Sequence, residues 1–446
     1  MQSLLLLLSG LALLIFGATL LDCGLSRLAR RAGIPRLIAG AILTAYAAAA
    51  PTLTTGVMAG FRGQVEFAVG VIFGAYICNL LFLLGLLALI SPVRVVYRMV
   101  RGNVPFMIFV AGLVWLFALN GRITLIENLA LLLLVPAYTA FVVHYARRIP
   151  SGDHEPGSLP TPPQKNTVAI PVLVACLGGC AVFLYFGAQL LLTGALDLAR
   201  LTGMDELAVG LAVAGPGLSL PVLVASFRTG RRGERNLVAG NVVSGNVFIL
   251  LCVLSLTGFA ASGALPVGGA LHDLELPAAF VIAVICMPVF VTRAVINRLE
   301  GACFLLFYAL YILLTVLRAI TSPLYPVIAN ILFYILLPGT GLIVLLALWF
   351  AYYEVKILTA DLGDDVADLA MTALKNTRKI VVSVVGVTLI LVGIAMMALP
   401  GPATIVIPLG LALLSTEFLW AKRLLQYVRK EVEYAAARLT GTEKKE

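Results

Sequence analysis

Two short stretches of this sequence hold polar side chains of kinds that can ligate a solute. The first reads Gly217-Leu218-Ser219-Leu220-Pro221-Val222-Leu223, with Ser226 just beyond it. The second reads Gly240-Asn241-Val242-Val243-Ser244-Gly245-Asn246. Thr52, which follows Pro51, and Asn79 stand in similar surroundings early in the chain. Hydroxyl and amide groups in apolar surroundings can do one of two things. They can line a pocket and coordinate a cation or small solute through their oxygens, or they can hydrogen-bond neighbouring helices, at about 0.6 kcal/mol each. Pro51 and Pro221 lack the backbone donor that a helix interior uses. Each lies beside small residues, Ala47 to Ala50 and Gly215 to Ser219. This predicts a broken helix at both places, with freed carbonyls facing a cavity.

No carboxylate accompanies these groups. Asp22, Glu66, Glu127, Asp197, Asp205, Glu206, Asp273, Glu275 and Glu300 all fall near the ends of apolar segments or in loops. The seven cysteines form no CxxC pair and the three histidines are scattered, so the sequence indicates neither a metal centre nor a disulfide framework. It also lacks a P-loop, a HExxH and a GxSxG. We therefore expect no enzyme, no cofactor and no resident metal.

The elements that position these groups are membrane helices. Of 446 residues, 61% are hydrophobic and only 12% charged, with a mean hydropathy of +1.04. A soluble domain carries roughly twice that charge. Apolar runs of spanning length cover 3–21, 36–58, 66–90, 104–119 and 123–146, then 168–192, 206–226, 236–258, 274–296 and 300–319, and finally 326–358, 379–399 and 403–421. The net charge of +9 comes from basic residues in the short loops, which points to membrane orientation and lipid contact rather than nucleic acid. Arg27, Arg30 and Arg31, then Arg94, Arg98 and Arg101, then Arg228, Arg231 and Arg232 fall on one side. That side is expected to be cytoplasmic, with the N-terminus outside, the C-terminus inside, and the protein in a bacterial cytoplasmic membrane.

The chain also repeats itself. A shift of 170 residues lays Phe16-Gly17-Ala18 on Phe186-Gly187-Ala188, Gly24 on Gly194, Gly40 on Gly210, Pro51 on Pro221 and Gly70 on Gly240. Each copy holds an odd number of spans, so the second copy enters the membrane upside down. Secondary transporters are commonly built this way, with the substrate site near the midplane where the two copies meet. The fold expected is an all-α polytopic membrane protein with two inverted five-helix repeats and a C-terminal helical hairpin, about 12–14 spans in all. The boundaries read as repeat 1 at 1–148, a cytoplasmic linker at 149–167, repeat 2 at 168–320, an extra span or re-entrant segment with an interfacial helix at 321–377, a hairpin at 378–428 and a charged cytoplasmic tail at 429–446.

On these motifs, residues 1–320 resemble the sodium/calcium (cation/proton) exchanger superfamily. That family carries G-T-S-x-P-E-L-x-x-S and G-N-x-x-G-S-N-x-x-N in each repeat. The resemblance implies that Asn79, Ser219, Asn241 and Asn246 occupy site positions, with Thr52, Ser226 and Ser244 as further candidates. It also implies an acidic ligand after each motif proline, where this chain has Thr52 and Val222. Calcium takes about 6–8 oxygen ligands, usually including carboxylates. Hydroxyls and amides alone leave a divalent charge poorly compensated in low dielectric, whereas a monovalent cation or an uncharged solute is easier to accommodate. Around Leu399-Pro400-Gly401-Pro402 and Glu417-Phe418-Leu419-Trp420 the chain resembles a second membrane family, named for a P-G-P-G-W motif. Two functions remain open on sequence alone: a divergent secondary transporter of a small ion or solute, and a non-transporting scaffold that binds lipid or a partner.

Overall fold

The computed structural model describes residues 2–31, 39–94, 97–147, 170–231, 235–269, 271–292, 295–322 and 324–325, together with 411, 414–415 and 421–422. The linker 149–167, nearly all of 321–377 and 378–428, and the tail 429–446 lie outside the described residues. The chain divides into two compact units, 1–345 and 346–446. Both repeats belong to the first unit, and the second contains the described residues 411, 414–415 and 421–422.

Repeat 1 begins with α1 (Gln2–Arg31). A π-helical turn, π1 (Ala39–Thr44), then runs into α2 (Ala45–Phe61). Next come α3 (Val65–Ile77), π2 (Cys78–Leu83) and α4 (Leu84–Ile90), stacked as one continuous segment, and then α5 (Tyr97–Ala118) and α6 (Leu125–Arg147). Repeat 2 follows the same plan. It has α7 (Ile170–Thr202), then α8 (Glu206–Val209), π3 (Gly210–Ala214), α9 (Gly215–Leu218) and α10 (Leu220–Arg231). After these come α11 (Arg235–Phe248), π4 (Ile249–Val253), α12 (Leu254–Ala260), π5 (Leu271–Glu275), α13 (Leu276–Thr292) and α14 (Arg298–Ala319). Among the described residues, eight helical stretches are long and apolar enough to cross a membrane, and two shorter apolar helices, Asn103–Ala118 and Leu276–Met287, fill the fourth place of each repeat.

Packing shows the inversion directly. A Cβ on Gly187 would lie 2.9 Å from the Leu14 nitrogen, and one on Gly17 would lie 3.1 Å from the Leu184 side chain. Gly17 and Gly187 are equivalent under the shift of 170, and so are Leu14 and Leu184, so the contact is reciprocal. Further along the crossing, Gly194 meets Leu7 and Gly24 meets Leu177 by the same rule. Residue numbers rise along α1 as they fall along α7, so the two equivalent helices cross antiparallel. At Gly187 and Gly194 most of the atoms faced are backbone, which cannot move aside for a side chain, so glycine is required there.

The π turns obey the same offset. Shifting π1 gives 209–214, against 210–214 observed, and shifting π2 gives 248–253, against 249–253 observed. Two short antiparallel ladders tie the repeats together. Val93–Arg94 (β1) pairs with Val295–Ile296 (β4), and Arg122–Ile123 (β2) pairs with Leu265–Pro266 (β3).

The helix breaks are not quite where the sequence suggests. α2 runs through Pro51 without interruption, and the register change comes earlier, at π1. The Ala50 carbonyl is taken by the Thr54 hydroxyl at 2.9 Å. In repeat 2 the helix is interrupted at Ser219, just before Pro221. An inserted π residue shifts the carbonyl ladder as proline would, without removing a donor.

Several carboxylates near helix ends act as caps. Asp205 Oδ1 accepts from Ala208 N at 2.8 Å, Glu127 Oε2 accepts from Thr124 N at 2.6 Å, and Glu300 Oε2 accepts from Asn297 N at 2.8 Å.

Candidate functional site

The site is built on the turn where α3 becomes π2. Every residue from Phe67 to Ile77 is buried, so bulk solvent does not reach the polar groups of this part of the bundle. A π turn widens the helix and offsets carbonyls from their usual donors, and side chains of repeat 2 come in to meet them. Asn246 Nδ2 donates to the Tyr76 carbonyl at 3.1 Å. The Ser219 hydroxyl lies 3.4 Å from the Ala75 carbonyl and 3.2 Å from the Gly215 carbonyl of its own repeat. Asn79 Nδ2 donates to Asn246 Oδ1 at 2.9 Å. Asn79, Ser219 and Asn246 are respectively 2%, 3% and 0% exposed. Three of the seven candidates therefore converge on Ala75 to Asn79.

The remaining four are arranged otherwise. Ser244 belongs to a neighbouring cluster, where it accepts from Asn103 Nδ2 at 3.3 Å and from Tyr138 Oη at 3.2 Å. Thr52, Ser226 and Asn241 are buried on α2, α10 and α11. Asn103 on α5 and Tyr138 on α6 do not stand out in the sequence. Their only signal there is a polar group inside an apolar run, for Tyr138, or at the edge of one, for Asn103. The Cys78 thiol, one of the cysteines without a metal or disulfide pattern, sits within hydrogen-bonding reach of Ser219 and Tyr308.

The electrostatics are neutral. No carboxylate joins the converging groups, and among the described residues no three His, Cys, Asp or Glu side chains come together. Asn79 Oδ1 is buried without a hydrogen-bond partner. Thr55 Oγ1 on α2, Tyr76 Oη on α3, Asn128 Oδ1 on α6 and Thr257 Oγ1 on α12 are in the same state. A buried acceptor left unmatched costs about 1–3 kcal/mol, and native structures contain few of them. Amide and hydroxyl oxygens of this kind can ligate a cation without adding charge.

Comparisons with known proteins agree with the fold. The sodium/calcium exchanger protein family matches residues 2–144 and 172–317, and the PGPGW transmembrane protein family matches 379–431. CaxA of Alkalimonas amylolytica, named an antiporter, is 30% identical over 307 residues, covering 68% of this chain and 95% of its own. The inner membrane protein YrbG of Escherichia coli is 28% identical over 261 residues, covering 58% and 80%. Among solved structures, the sodium-calcium exchanger NCX_Mj superposes with a TM-score of 0.52 at 23% identity, covering 70% of this chain and 97% of that one. This last likeness concerns the fold alone.

Proposed function

The chain is a member of the sodium/calcium exchanger protein family, and on that premise we propose that it is a secondary transporter, not an enzyme, that moves a monovalent cation or a small solute by alternating access. The observation that carries this reading is Asn79 Oδ1, an unmatched acceptor buried where the two inverted repeats meet. Asn79, Ser219 and Asn246 are the proposed solute contacts, and the Ala75 and Tyr76 carbonyls are fixed by the donors of the opposite repeat.

The missing charge argues for the smaller cargo. Thr52 and Val222 occupy the positions where the family resemblance implies acids, and both are buried. A divalent ion there would keep most of its charge uncompensated in a dry interior. A monovalent ion needs half the compensation. We place the protein in a bacterial inner membrane, with the N-terminus outside and the basic loops and C-terminus in the cytoplasm.

The competing reading is a scaffold that keeps the fold without transport. The loss of both acids is the observation in its favour. Purified protein in proteoliposomes, challenged in turn with Na⁺, K⁺, H⁺ and Ca²⁺ gradients, separates the two. The transporter reading requires flux of a monovalent ion that Asn246→Ala abolishes. If no gradient discharges, the scaffold reading stands.

A further inference from the structure

Away from the Asn79–Asn246 seam, α1, π1–α2 and α10 leave a small opening of about 10 Å³ between them. α1 contributes Thr19 and Asp22, π1 contributes Thr44, α2 contributes Ala48, and Pro221 of α10 lies on the opposite wall. It has room for a particle about the size of a water molecule.

The internal repeat supplies a comparison within the same molecule. The shift of 170 carries Ala18 to Ala188, Asp22 to Leu192, Thr44 to Ala214 and Ala48 to Leu218. All four of these counterparts are buried in one apolar cluster, and Pro51, the counterpart of Pro221, is buried as well. One end of the pseudo-symmetric molecule is therefore open and the other is packed shut. Hydroxyls or amides occur at both ends, Thr19 and Thr44 here against Gln189, Thr54 and Thr55 at the counterpart, but only the open end carries a carboxylate, Asp22, where its counterpart has Leu192.

We propose that Asp22, with the Thr19 and Thr44 hydroxyls, forms a cation-binding site at the mouth of the open end, where a monovalent inorganic cation is collected on its way past Pro221. The identification of the cation as cargo rests on the transport reading above. A lone carboxylate with low-dielectric walls concentrates counter-ions. It matches one positive charge, and it is too sparse an oxygen set for a dehydrated divalent ion. Asp22 also has an interaction partner within the protein, and a carboxylate has acceptor capacity for both. Because the counterpart of Asp22 is Leu192, the site exists on one side of the membrane only.

Two measurements on the full chain test this. With the exposed Cys23 and Cys303 changed to serine, Val224→Cys places a thiol on the wall of the opening. A cationic thiol reagent is expected to react about tenfold faster than an anionic one of equal size, with the ratio falling towards unity in Asp22→Asn. In proteoliposomes, Asp22→Asn is expected to raise the half-saturating cation concentration about threefold or more on the Asp22 side alone, with the maximal rate retained. A reagent ratio indifferent to Asp22→Asn overturns the site, and so does an unchanged half-saturation in an active protein. A wild-type protein with no flux overturns the transport reading instead, and the reagent ratio still decides whether the mouth attracts cations.

Discussion

Asn246 hydrogen-bonds the backbone of its own counterpart. Its amide donates to the carbonyl of Tyr76, the residue to which the shift of 170 carries it, while its oxygen accepts from Asn79. A residue that touches its own pseudo-symmetry mate lies on the axis relating the repeats. In an inverted-repeat transporter that axis is where the moving parts share a pivot and a solute. Asn246→Ala leaves the Asn79 amide and the Tyr76 carbonyl without these partners in a buried seam. It is expected to lower stability by about 1–3 kcal/mol, read as a fall in the thermal midpoint in detergent, and to abolish flux. An unchanged midpoint would show that the pair is loosely held.

Restoring charge should restore an appetite for divalent ions. Thr52→Glu combined with Val222→Glu puts two carboxylates into positions that are almost fully buried. Without a cation the double variant should be less stable than the wild type, because unpaired buried charges are costly. Ca²⁺ should then raise its thermal midpoint, with saturation at a hundredfold excess over Kd worth about 2.7 kcal/mol, and should leave the wild type unmoved. A wild-type midpoint that responds equally to Ca²⁺ would contradict the argument from missing charge.

The α1–α7 crossing predicts a contrast between two glycines of one helix. Gly187→Ala drives a methyl group against the Leu14 backbone, whereas nothing lies within 4 Å of a Cβ on Gly178. The first change should destabilise by about 1–3 kcal/mol, and the second should be neutral or stabilise by up to about 1 kcal/mol. Thermal midpoints of the two variants, measured side by side, check this.

The repeat and its inversion are legible in glycine and proline spacing because close helix approach tolerates so few residue types. Asn79, Ser219 and Asn246 are legible from their motif positions, and they do converge. The π turns are not legible. One extra residue in a helical turn leaves no mark in composition, and the prolines draw attention to the wrong point in α2. Sequence position near a helix end also says little about what a carboxylate does. Asp205, Glu127 and Glu300 are caps, Asp22 lines an opening, and Glu275 is fully buried. Position along a helix says how deep a residue lies in the membrane, but not what covers it from the side.

Glu275 supports a prediction of pH dependence. It ends π5, just before the apolar stretch Leu276–Met287. Tyr311 Oη donates to its Oε2 at 2.6 Å and Arg318 Nη1 lies 3.3 Å from its Oε1. The other arm of Arg318 is 3.5 Å from Asp205 Oδ2, so the cluster ties the cap of α8 to α14. Burial pushes the Glu275 carboxyl up to about 7. It outweighs the opposing pull of Tyr311 and Arg318, and the charge of Asp205 adds to the rise. The folded protein thus holds this proton more tightly than the unfolded chain, where the carboxyl titrates near 4.5. Its stabilising contribution is complete below that value and is lost as pH rises through about 7. Thermal midpoints of the wild type should therefore fall between the two ends of this window. Glu275→Gln keeps an acceptor for Tyr311 and has no proton to lose, so its midpoint should fall less over the same range. Equal slopes for the two proteins would mean that the carboxyl is ionised throughout and that Arg318 compensates it fully.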